Sequence, residues 1–255
     1  MPNVLNHAEL VFLLSFISMW LAARIGATIL RRVGTIADDA RDDFSVIQTA
    51  TLTLLALIIG FTFSMAVGRY DLREHYEEEE ASAISTAYLR ADLLPAADAA
   101  AVRALLVKYL DVRALFYTTR DARELDRVDA DTTRLQQEMW TRVRNAAVAQ
   151  PTPITALVVS AINDVLNTQG YAQAAWWNRI PYAAWGLMTL IAIGANLLVG
   201  YGARALTAGA GLLLVVPLVV ALAFSLIADI DSPRGGMIHV RPVDLQALVS
   251  SLHPR

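Results

Sequence analysis

Five residues on one apolar stretch invite a chemical reading first. Thr53, Leu57, Gly60, Phe61 and Ser64 recur at intervals of three and four, which places them on one face of a helix. A face that mixes hydroxyl, small and large apolar side chains can line a constriction. Rings of apolar residues gate by dewetting. The positive edge of a phenylalanine ring can meet a partly dehydrated anion. The same composition also suits a helix–helix seam, where Gly and Ser permit close approach and Thr bonds a neighbour.

Two acidic groups come next. Asp229 and Asp231 sit in the run Asp-Ile-Asp-Ser-Pro-Arg-Gly-Gly, directly after the last apolar stretch. Carboxylates beside turn residues can present oxygens to a hard cation. Pro and Gly at that point equally describe a chain leaving a helix at a membrane surface, and too few oxygen donors are visible for a complete site. Glu77, Glu78, Glu79 and Glu80 are consecutive, with Asp71 and Glu74 upstream. Four successive helical residues point around the whole circumference, so they cannot converge on one ion. In an oligomer they could ring a cation-attracting vestibule. The plainer expectation is a solvated helix in which Arg69 and Arg73 pair some of them.

Other chemistry finds no support. His7, His75, His239 and His253 are scattered without metal-ligand spacing, so neither a metal site nor a cofactor is expected. There is no nucleophile elbow, phosphate loop or dinucleotide fingerprint, and an enzyme is not indicated. Cysteine is absent, which excludes thiol and disulfide chemistry. A formal net charge of -3 gives no sign of a nucleic-acid partner.

The elements that carry these residues are membrane helices. Of the 255 residues 56% are hydrophobic and only 18% charged, against about 25% charged in a typical soluble domain. The excess is gathered into long runs. A helix needs about 20 apolar residues to cross a bilayer. Residues 45–68, 180–203 and 205–228 qualify without a single charge, and residues 10–30 qualify with only Arg24, which can snorkel. The start of the chain carries no basic residue before the first run, so that run reads as a retained span rather than a cleaved signal. Residues 201–204 leave room only for a tight turn, making the last two spans a hairpin. Pro217 is expected to kink the last one. Trp176, Trp177, Tyr182 and Trp185 read as an interfacial aromatic belt.

Between Arg69 and Arg179 lies a polar insert with 13 of the 21 basic and 16 of the 24 acidic residues. Its apolar residues follow the helical period in three stretches. The first is Val102, Leu105, Leu106, Tyr109, Val112 and Phe116. The second is Leu135, Met139, Val143 and Ala146. The third is Ile154, Leu157, Val158, Ala161, Ile162 and Val165. No Gly/Pro break follows Gly68, so residues 69–94 can prolong the second span as one rod. The fold class is therefore an all-α membrane protein, with four transmembrane helices and a helical extramembrane insert between the second and third. The expected segments are 1–68, 69–179, 180–228 and a tail at 229–255.

Orientation is not decided by charge. Basic residues near the membrane divide five against five: Arg24, Arg31, Arg32, Arg41 and Arg204 on one side, Arg69, Arg73, Arg179, Arg234 and Arg241 on the other. The uncharged start and basic end of the first span argue for an external N-terminus.

Four segments resemble a bacterial membrane family described as bestrophin-like and otherwise of unknown function. They are IIGFTFSMAVGRYDLR (58–73), EEASAISTAYLRADLLP (79–95), AINDVLN followed by NRIP (161–181), and LIADIDSPRGGMIHV (226–240). A more distant resemblance reaches the bestrophins themselves, through the four-span layout and the pattern Gly60, Phe61, Arg69, Tyr70. Bestrophins are pentameric channels, mostly for anions. The resemblance implies a homo-oligomer in a bacterial plasma membrane that passes small inorganic ions. It implies that the second span lines a hydrophobic neck, with Phe61, Leu57 and Thr53 at successive levels. Thr53 departs from the large apolar residues of bestrophin necks. Acidic residues after the last span form a calcium clasp in bestrophins, which implies the same for Asp229 and Asp231. The insert would be cytoplasmic, against the external N-terminus suggested by the first span. The rival function is a non-conducting membrane scaffold or sensor whose insert binds a partner.

Overall fold

The computed structural model describes residues 4–30, 32, 36–203 and 211–253. Among them every regular element is a helix. In chain order these are α1 (Ala8–Ile25), α2 (Arg41–Arg90), α3 (Ala96–Thr118), α4 (Ala122–Ala149), α5 (Pro153–Trp177), α6 (Tyr182–Gly202), α7 (Leu212–Asp231) and α8 (Val243–Leu252). Four helical stretches are long and apolar enough to cross a membrane, and each covers most of one expected run. Arg31, Arg204 and the start of the fourth run lie outside the described residues. The chain divides into two compact units, Met1–Tyr70 with Arg179–His239, and Asp71–Asn178 with Val240–Arg255.

In the first unit α1 packs on α6 and α7. The seam with α6 works because both helices present small residues. A Cβ on Gly26 would strike the Leu197 carbonyl, and one on Gly200 would strike that of Ala23. Ala22, Ala23 and Ala27 continue the buried strip. With lipid tails as apolar as any side chain, such close backbone approach is what holds membrane helices together. A single turn of π-helix, Gly26–Leu30, prolongs α1. Met19, Leu55, Ala66, Met188 and Ile227 fill the core, and Trp185 meets Phe224 edge-on at 6.0 Å. The helix α7 runs through Pro217 without a break.

The second unit is built on α3 and α4, which pack together, with α5 against α4. The amphipathic stripes largely become its core. Val102, Leu106, Tyr109, Phe116, Leu135, Met139, Val143, Val158, Ile162 and Val165 are buried. Ile154, in the first turn of α5, and Leu157 do not join them and stand 54% and 48% exposed. That turn is fixed by Thr152, whose hydroxyl accepts the Thr155 N–H while the Thr155 hydroxyl accepts the Thr152 N–H. Pro153 at the first position loses no bond there.

Of the four aromatics expected in a belt, Trp177 and Tyr182 are exposed. Trp176 and Trp185 are core residues. Trp176 stacks edge-on against Phe116 at 5.2 Å and Tyr117 at 5.4 Å.

Candidate pore-lining face

The helix α2 continues through Gly60 and Gly68 as one element of 50 residues. Within its apolar part the side chains divide sharply. Leu55, Thr62 and Ala66 are buried in the first unit, with Leu52, Ile58, Ile59 and Val67 packed partly against that core. Thr53, Leu57, Gly60, Phe61 and Ser64 are all exposed, Leu57 by 53% and Phe61 by 66%. Only 17% of the apolar window of α2 is buried, compared with 33% for α1 and 50% for α7. The described residues therefore leave this face of α2 uncovered.

The hydroxyls repeat the division. Thr51 and Thr62 donate to the carbonyls one turn back, Ile47 and Ile58, each at 2.8 Å. Ser15 does the same on α1 toward Val11 at 2.6 Å. Such back-bonding is how a hydroxyl is normally satisfied in hydrocarbon. The hydroxyls of Thr53 and Ser64 make no hydrogen bond with any described residue, and neither does that of Thr49, one turn before Thr53 on the same exposed face. Thr49 was not singled out in the sequence. Its spacing from Thr53 was the available signal.

The acidic groups have structural employment. Asp231 is 1% exposed and accepts the Ile180 N–H at 3.1 Å, with Arg179 at 3.5 Å and Arg69 at 3.9 Å from its oxygens. Arg179 also donates to Asn6 Oδ1 and to the Leu5 carbonyl, tying the start of the chain to the same corner. The carboxylate of Asp229 accepts the N–H groups of Met237 and Ile238, both at 2.9 Å. This needs Gly236, whose φ of +77° is reserved for glycine and whose missing Cβ leaves space for Asp229 Oδ1. No group of three or more His, Cys, Asp or Glu suited to a metal occurs among the described residues.

The acid run departs from a solvated helix. Glu77 and Glu80 are buried at 1% and 0%, whereas Glu78 is exposed. Glu80 takes both oxygens to fully buried Arg113 on α3, and Tyr117 donates to it at 3.1 Å. Arg113 also lies over the Phe116 ring at 4.3 Å. Burial first, then the Glu80 charge, pushes the Tyr117 phenol far up, so it acts only as a donor. Arg73 donates to the carbonyls of Ala175 and Asn178, both at 3.2 Å. The signal was present in the sequence. Stepping back from Ile84, Ala87 and Ala91 by three and four lands on Glu80, Glu77 and Arg73.

The chain matches no family model, and no curated protein matches it in sequence. Solved structures do match. A point mutant of a bacterial bestrophin homolog from Klebsiella pneumoniae aligns with a TM-score of 0.65 at 14% identity, over 94% of this chain and 96% of that one. The fold is that of the bacterial bestrophin homologs. A second mutant of the same protein gives a TM-score of 0.64 at 16% identity, over 99% and 96% of the two chains. The form phased on zinc gives 0.61 at 17%, over 95% and 94%. The bestrophin homolog fold thus agrees with the resemblance read from residues 58–73 onward and with the all-α, four-span membrane architecture.

Proposed function

We propose that the chain is one protomer of a bestrophin-like homo-oligomeric ion channel in a bacterial plasma membrane. Thr53, Leu57, Gly60, Phe61 and Ser64 line its pore, anions are preferred, and by resemblance the oligomer is a pentamer. The observation that carries this reading is the uncovered face of α2. Lipid would accept Leu57 and Phe61, but it offers nothing to the hydroxyls of Thr53 and Ser64. Copies of the chain arranged around an axis would cover the flanks of α2 and turn those hydroxyls toward water. Leu57 and Phe61 then form the narrow apolar level, where an ion sheds part of its hydration and the edges of the Phe61 rings favour an anion. No catalytic step is assigned to any residue.

Asp229 and Asp231 are better read as fasteners of the loop and of α6 than as a cation site, since their oxygens already receive backbone N–H groups and guanidinium groups.

The absence of native cysteine makes the reading testable by labelling. Single substitutions Thr53→Cys and Ser64→Cys are expected to react with a charged, membrane-impermeant thiol reagent in proteoliposomes, and the reaction is expected to block flux. Leu190→Cys, 69% exposed on α6, is expected to stay unreactive behind lipid. Equal protection of all three from the reagent would contradict the pore assignment.

A further inference from the structure

The short helix α8 is anchored to α2 by an unusual capping arrangement. Its N-cap position is Pro242, which offers no side-chain acceptor to the first turn. Glu77 supplies the acceptor from 168 positions away, taking the Leu245 N–H on Oε1 at 2.9 Å. Both residues are buried, Glu77 at 1% and Leu245 at 0% exposure. Asp244, one residue before Leu245, brings a second carboxyl within hydrogen-bonding reach of the first. A second acidic group beside the first disfavours its ionisation, so Asp244 adds to burial in raising the Glu77 carboxyl.

We propose that buried Glu77, through its bond to the Leu245 N–H, forms a pH-dependent latch that holds α8 against the insert bundle. Other charged and titratable groups near Glu77 lie on two helices. On α2, Arg73 lies one turn before it and donates to the Ala175 and Asn178 carbonyls, and Glu80 lies one turn after it, bound to Arg113. On α3, Arg113 and Tyr117 both engage Glu80. Only Asp244 faces Glu77 from α8 itself. At the far end of α8, His253 meets Asp111 at 3.3 Å, a contact to be separated from the latch by experiment.

Burial above all, aided by Asp244, raises the Glu77 carboxyl from 4.5 to about 7, against the Leu245 N–H bond, which lowers it. Release of α8 would return the carboxyl to water and toward its ordinary value. The docked state thus binds the proton more tightly than the released state. Docking is strongest on the acid side, weakens as pH climbs from the ordinary carboxylate range through about 7, and levels off above that. The latch is independent of whether the chain conducts.

Hydrogen exchange of the full-length protein in nanodiscs, followed by mass spectrometry on the peptide covering 243–252, reads the docking equilibrium. Protection factors, corrected for the intrinsic pH dependence of exchange, are expected to fall by roughly a hundredfold between pH 5 and pH 8. Glu77→Gln, which mimics the protonated acid, is expected to keep high protection throughout, while His253→Gln keeps the fall. Flat protection in the native protein, or an equal fall in Glu77→Gln, overturns the proposal. Should Glu77→Gln fail to fold, Asp244→Asn serves instead. Loss of the second carboxyl is expected to move the fall to lower pH, and an unmoved midpoint overturns the latch.

Discussion

Arg113 and Glu80 are fully buried together, and the energetics of such a pair are asymmetric. Removing one partner leaves an uncompensated charge in the core and costs about 3–5 kcal/mol, while replacing both by apolar residues is often neutral. Glu80→Ala is therefore expected to lower the thermal midpoint of the purified protein by many degrees. The double change Glu80→Leu with Arg113→Met is expected to recover most of the loss. Gly236 makes a second test at this scale. A methyl group there meets both a left-handed backbone and the Asp229 carboxylate, so Gly236→Ala should cost about 1–3 kcal/mol, read as a lowered thermal midpoint. That a Pro-Arg-Gly-Gly run leaves a helix was legible in the sequence. That its second glycine makes room for an aspartate seven residues earlier was not, because the contact depends on the return path of the chain.

Among the helices, glycines play opposite parts. Gly200 has the Ala23 backbone where its Cβ would be, whereas Gly68 faces open space. Gly200→Ala is expected to force α1 and α6 apart and reduce the yield of folded protein, measured as the monodisperse fraction in detergent. Gly68→Ala is expected to be neutral, or to stabilise α2 by about 0.5–1 kcal/mol through its better helix propensity. The four apolar helices were legible because hydrocarbon demands some twenty apolar residues in a row, and few other structures do. The buried acids were harder to see. Periodicity is usually scored on apolar residues, and four consecutive glutamates hide the fact that only Glu77 and Glu80 share the phase of Ile84 and Ala87. Likewise the exposed face of α2 was legible as a face, from the spacing of Thr53, Leu57, Gly60 and Ser64. Whether it met another span of the same chain was not, since a pore wall and a helix seam draw on the same small and hydroxyl residues.

At the scale of the molecule the account rests on a helix that the chain leaves half covered. The bestrophin homolog fold supplies the scaffold at 14–17% identity, and the side chains of α2 supply the argument for permeation. The most direct measurement is anion flux from liposomes containing the purified oligomer, for the native protein and for Phe61→Ala. The account predicts measurable flux for the native chain, and at least a severalfold change in rate or anion selectivity when Phe61 is cut back to a methyl group. A folded native oligomer that passes no ions, or a flux indifferent to Phe61→Ala, would contradict it.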